Sequence, residues 1–290
     1  MRTAYLASAT VASFSADAMR SIGRAAVRSL WHELVLYPKP GLVSLHDAGA
    51  HDDMNADTFI RSLFALSRFF HDVTAAGAAS ARFETLRRLG VHAEAAMLAA
   101  TRGLNTHRGA IFALGLLSAA VGRTVERGEA PSDAIVRRTL LACWGADLSC
   151  ARQRPGNLSN GLVVARRYGA SGARGEALRA FPSVFDFALP ALRQALARGC
   201  DARRAQLSAF FALLAHVDDT NILHRGGAEG LAFVRRVARE FRDCGDVYAS
   251  DAITRAEAIH REFVARGLSP GGCADLLAAA LFVHDVQTTQ

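Results

Sequence analysis

Apolar residues recur at helical spacing along nearly the whole chain. In "AQLSAFFALLAHVDD", Leu207, Phe210, Phe211, Leu214 and Val217 follow the i, i+3, i+4 order of a buried stripe. Alanine and leucine dominate, proline is scarce, and no convincing set of alternating strands interrupts the pattern. The pattern predicts an all-α fold: one large helical bundle domain over residues 1–290, with 1–20 as a loosely attached N-terminal segment. Helix starts are expected at Asn55 or Asp57 before "TFIRSLFALSRFF", at Thr106 before "HRGAIFALGLLSAAVG", and at Ser269-Pro270 before "GGCADLLAAALFVH". Residues Ala110 to Val121 carry no charge, which predicts a helix at the centre of the bundle, while "RPGNLSNG" and "YGASGARGE" read as loops. Extending the stripe beyond Leu214 points Asp218 inward. Asp219 then lies about 100° around the helix, on the side of His216.

Composition narrows the classes. With 51% hydrophobic and 21% charged residues, the chain reads as an ordinary globular protein, and no apolar run reaches the roughly 18 residues of a membrane span. The opening "MRTAYLASATVASFSADAMR" has Ser and Thr through its apolar middle, which argues against a signal peptide. Five cysteines, odd in number and never spaced C-x-x-C, argue against a zinc site or a disulfide framework and fit a reducing cytosol. The net charge is +7, yet the arginines are dispersed as "RRL", "RRTL", "ARRY" and "RRVARE" without interleaved aromatics. That arrangement describes solvated helix faces, so neither nucleic acid nor a membrane is expected as a partner. Oligomeric state is left open.

Five stretches hold polar residues and glycines that a plain bundle does not need: "PKPGLVSLHDAGAHDDM", "GLNTHRGAIFALG", "YGASGARGEA", "HVDDTNILHRGG" and "SPGGCADLLAA". In the first, Lys39 is the only lysine among 34 basic residues, held between Pro38 and Pro40 ahead of Gly41. Such a rigid turn presents a compact point charge where a guanidinium fork would not fit. The carboxylates gather as Asp52 and Asp53 beside His51, and as Asp218 and Asp219. Paired carboxylates suggest Mg²⁺, which takes oxygen ligands and bridges substrate phosphates; salt bridges to Arg225 or Arg61 are the structural alternative. Gly109, Gly271 and Gly272 stand at helix starts, where backbone N–H groups favour an anion. No Walker loop and no dinucleotide fingerprint occurs, so a nucleotide site in this chain would be a helical one.

In this order the motifs resemble the triphosphoribosyl-dephospho-CoA synthase family, from about Trp31 to His284. The resemblance implies an all-helical, Mg²⁺-dependent enzyme that joins ATP to 3′-dephospho-CoA and releases adenine. The product is the precursor of the prosthetic group that a transferase places on the acyl carrier protein of malonate decarboxylase or citrate lyase, and the form of the first motif looks closer to the malonate branch. Arg108 stands where lysine is frequent in the family and Cys273 where serine is more usual.

Glycosyl transfer is the chemistry implied: the dephospho-CoA 2′-hydroxyl attacks the anomeric carbon of ATP through an oxocarbenium-like transition state. His51, Asp53 and Asp219 are the catalytic candidates, with Glu33 and Glu176 as other general bases by type. Asp52, Asp53, Asp218 and Asp219 are the expected Mg²⁺ ligands. Lys39, Gly41, Thr106, His107, Gly109, Arg174, Glu176, Arg225, Gly226, Gly271 and Gly272 are the expected substrate contacts. A Mg²⁺-dependent N-glycosidic hydrolase and a non-catalytic nucleotide-binding adaptor are the alternatives.

Overall fold

The computed structural model describes residues 2–151, 163–164 and 167–289, so the "RPGNLSNG" loop lies outside the described residues. Among those described there are eleven α-helices and no strand. They are α1 (Arg2–Val35), α2 (Ala56–Ala78), α3 (Phe83–Ala100), α4 (Arg108–Glu126), α5 (Asp133–Ala151) and α6 (Gly172–Leu178). After a π-helical turn at Ser183–Ala188 come α7 (Leu189–Ala197), α8 (Ala202–His216), α9 (Thr220–Asp243), α10 (Ala252–Ala265) and α11 (Gly271–Thr288).

The uncharged helix is central, as its composition predicts. In α4 every residue from Ala113 to Gly122 is buried, with Ala110, Ile111 and Thr124. By length and composition α4 could cross a membrane, but most of it is enclosed by neighbouring helices. Helix α8 is buried on all sides from Leu207 to Ala215 and is not amphipathic. Helix α1 is continuous through residue 20, and its Met19 and Ile22 belong to the core.

Glycines let α2 and α4 cross closely. A Cβ on Gly77 would overlap the Ala119 backbone, one on Gly122 would sit 2.5 Å from the Thr74 carbonyl oxygen, and one on Gly115 would press on the Phe69 ring. Each is a position where a methyl group has no space.

Helix ends decide which polar groups meet. Asn55, not Asp57, starts α2, in a capping box with Thr58. Thr106 stands one residue before the cap position of α4, where Asn105 Oδ1 accepts from the Arg108 N–H at 3.1 Å. "YGASGARGE" is not wholly a loop, because good helix formers after Gly172 build α6. Most consequentially, α8 stops at His216 and Val217 is extended (ψ 137°). The helical extension that aimed Asp218 inward therefore fails, and Asp219 is the buried member of the pair. His216 leaves Asp219 altogether and stacks on Phe187 at 4.0 Å.

Gly77→Ala should lower unfolding free energy by about 3 kcal/mol through overpacking. Gly90→Ala, whose Cβ would meet only Ile111 Cγ2 at 3.8 Å, should be neutral or stabilise by up to about 1 kcal/mol. Urea denaturation of both measures the contrast, and equal stabilities would contradict the α2–α4 packing.

Candidate active site

Asp219 joins two helix starts. Its Oδ1 accepts from the N–H groups of Asn221 (2.8 Å) and Ile222 (3.2 Å), capping α9, while Oδ2 accepts from the Cys273 N–H (2.8 Å) in the first turn of α11. A second carboxyl, Asp275, receives the Ala110 N–H at the start of α4. The protein's own carboxylates thus occupy three helix N-termini that the glycine pattern offered to phosphate. The glycines serve the same contacts: a Cβ on Gly109 would overlap Asp275 Oδ2, one on Gly272 would lie 3.0 Å from Asp219 Oδ2, and one on Gly271 would lie 2.6 Å from Asn221 Nδ2.

These helix starts surround a cleft of about 600 Å³, including the space at its open mouth. Gly109 and Ala113 line it from α4, Ser171 to Ala173 and Glu176 from α6, Val217 to Asn221 from the α8–α9 junction, and Gly272, Asp275 and Leu276 from α11. Four of the five polar motifs therefore meet at one place. Among the described residues the lining carries four carboxyls (Glu176, Asp218, Asp219, Asp275) and no Lys or Arg. Burial raises the pKa of Asp219 despite its backbone donors. That of Asp275 is raised well above the carboxylate range by burial, by Glu33 and by Asp219. Glu176 accepts from the Ser183 N–H at 3.1 Å and the Ser183 hydroxyl at 2.9 Å, and Asp218 pairs with Arg235 at 2.7 Å.

The remaining motif supports the site from behind. Lys39 does not reach the cleft. Its side chain is buried, and its ammonium donates to the Glu33 carbonyl oxygen (2.7 Å) and to Glu33 Oε1. The carbonyl belongs to the last turn of α1, so the lysine satisfies a helix C-terminus and a buried carboxylate together. Burial pulls its pKa down while Glu33 holds it up. The reason for a lysine is therefore internal: a narrow ammonium fits where a guanidinium would have to displace packed chain. Gly41, at φ 72°, lets the loop press on the α10–α11 connection, since a Cβ there would overlap the Leu268 carbonyl oxygen. His260 secures the turn from α10, with Nδ1 at 3.1 Å from the Lys39 oxygen and Nε2 at 3.1 Å from Asp47.

His51 and Arg225 act as struts. Arg225 donates to the carbonyls of Ala50 (2.9 Å) and Gly267 (3.2 Å) and to His51 Nδ1 (3.2 Å), which leaves His51 Nε2 to donate to Ser269 Oγ at 2.8 Å. Both ring nitrogens are engaged, and burial with the Arg225 charge lowers the pKa of His51, keeping it neutral. Gly226 allows the close approach of Leu268. Thr106 and His107 join through Ser62: the Thr106 hydroxyl donates at 2.8 Å, and His107 Nδ1 lies at 2.6 Å. Burial and the Lys39 charge depress His107 to about 3, and its Nε2 has no hydrogen-bond partner.

Of the expected site residues, Gly109, Glu176, Asp218, Asp219 and Gly272 line the cleft, Arg174 lies on α6 beside it, and Gly271 adjoins it. Lys39, Gly41, Thr106, His107, His51, Arg225 and Gly226 do not line it. Asp52 and Asp53 are exposed on the loop, with Asp53 at 3.5 Å from His51. The four carboxylates expected around a metal are not assembled. Among the described residues no three His, Cys, Asp or Glu side chains are grouped as a ready-made cage for an ion. Asp275 was missed, although a lone acid within the apolar run "CADLLAAALFV" was a readable signal.

Lys39→Met strands the Glu33 carboxylate and is expected to cost about 3–5 kcal/mol in denaturant unfolding, with most of the loss recovered by adding Glu33→Gln. Lys39→Arg should destabilise as well. Wild-type stability in Lys39→Met, with only the KM for ATP raised, would instead make Lys39 a substrate ligand.

The ATP:dephospho-CoA triphosphoribosyl transferase (CitG) family model matches residues 19–290. A probable 2-(5''-triphosphoribosyl)-3'-dephosphocoenzyme-A synthase of Pectobacterium carotovorum is 38% identical, over 92% of this chain and 90% of its own. One from Salmonella gallinarum is 40% identical over 93% and 92%, and one from Acinetobacter calcoaceticus 37% over 89% and 88%. No solved structure gives a significant match. The ordered motifs, the helical fold and these relatives show that the chain belongs to the triphosphoribosyl-dephospho-CoA synthase family of transferases.

Proposed function

We propose that the carboxyl-lined cleft is where ATP and 3′-dephospho-CoA react, and that the product feeds a prosthetic-group transferase acting on the acyl carrier protein of malonate decarboxylase. The observation that carries the first part is the convergence of four motifs on one cavity. The form of "YPKPGLVSLHDAGAHDDM" favours the malonate branch over citrate lyase.

A lining whose described residues hold four carboxyls and no basic side chain suits a nucleoside and a developing cation better than phosphates. The ribose and adenine of ATP accordingly lie inside, and the triphosphate lies at the mouth towards Arg174 and Arg179 on the α6 side. Mg²⁺ enters as the counter-ion of ATP, as part of that substrate. The five cysteines are unpaired, which is consistent with a reducing cytosol.

Mass spectrometry of the purified protein with ATP, 3′-dephospho-CoA and Mg²⁺ tests this reading. Adenine and the triphosphoribosyl adduct should appear together and only when dephospho-CoA is present. Adenine released without dephospho-CoA would identify a hydrolase, and neither product would identify a binding protein.

A further inference from the structure

Asp275 differs from the other carboxyls of the cleft. Asp219 is spent on backbone N–H groups, Asp218 on Arg235 and Glu176 on Ser183, whereas Asp275 meets, among the described residues, one backbone donor, that of Ala110. It faces the cavity from α11, and the absence of a side chain at Gly109 makes room for its Oδ2. Lys39 offers it no neutralisation, because that ammonium is taken up by Glu33.

Resting on the reaction assigned above, we propose that Asp275 is the acid of glycosyl transfer, handing its proton to a ring nitrogen of adenine as the bond from C1′ to N9 breaks. The electrons of that bond leave with adenine, and the dephospho-CoA 2′-oxygen bonds to C1′. The proton lost by the hydroxyl restores the Asp275 carboxyl, so turnover takes up no net proton. Departing adenine needs such a donor, since its anion is a poor leaving group. Charged or titratable neighbours facing Asp275 are Glu33 from α1, Asp219 before α9 and the Cys273 thiol on α11; burial with Glu33 and Asp219 pushes its pKa well above the ordinary carboxyl value.

The test compares Asp275→Asn with wild type on two substrates. ATP is one, and 7-methyl-ATP, whose base departs as neutral 7-methyladenine without receiving a proton, is the other. With ATP the variant should lose about 100-fold or more in kcat with KM little changed. With 7-methyl-ATP the two enzymes should agree within about threefold. Equal losses on both substrates, or no loss with ATP, would overturn the role of Asp275. Wild-type enzyme supplies a check that does not depend on the variant folding. Its rate with ATP should fall as rising pH removes the Asp275 proton, and its rate with 7-methyl-ATP should lack that limb; the same limb in both would overturn the proposal. Wild type that releases no dephospho-CoA-dependent adenine would sink the assigned reaction itself, a distinct outcome.

Discussion

The Asp219 carboxylate is the contact on which the cleft depends. By accepting from the first turns of both α9 and α11, it fixes two helices that are remote in sequence at one angle and distance. An N-cap contributes on the order of 1 kcal/mol by itself. Shared between two helix starts and buried, it also determines where the backbone between Val217 and Asn221 runs. Asp275 likewise accepts from the first turn of α4, so N–H groups that would hold an anionic substrate in other folds are already engaged from within.

That substitution bears on the proposed chemistry. A cleft whose helix dipoles are already satisfied by carboxyls keeps a negative or hydrogen-bonding interior, suited to an oxocarbenium-like centre and to a base that leaves with a proton. Beneath it, Glu33 adds another carboxylate, and Lys39 is the cation that makes its burial tolerable. The single lysine of the chain thus acts on the site through packing and charge balance, from inside the wall.

The fold was legible because composition and period agree: the charge-free stretch from Ala110 to Val121 could only be a central helix. Motif positions were legible too, since glycines and carboxylates at helix starts stand out against an Ala/Leu background. Their partners were not. Reading Asp218 as the inward residue assumed a helix that in fact stops two residues earlier, at His216. Reading Lys39 and the starts at Gly109 and Gly271 as phosphate contacts assumed open space around them, and only three-dimensional proximity brings Glu33, Asp275 and Asn221 alongside.

Hydrogen–deuterium exchange with ATP and 3′-dephospho-CoA present tests the central claim most directly, because it reports which backbone segments the substrates cover. Protection should concentrate at the four segments around the cleft: 108–113, 171–176, 217–222 and 271–276. Protection confined to the 46–53 loop, with those four segments unchanged, would place the substrates on the outer carboxylates and contradict the account.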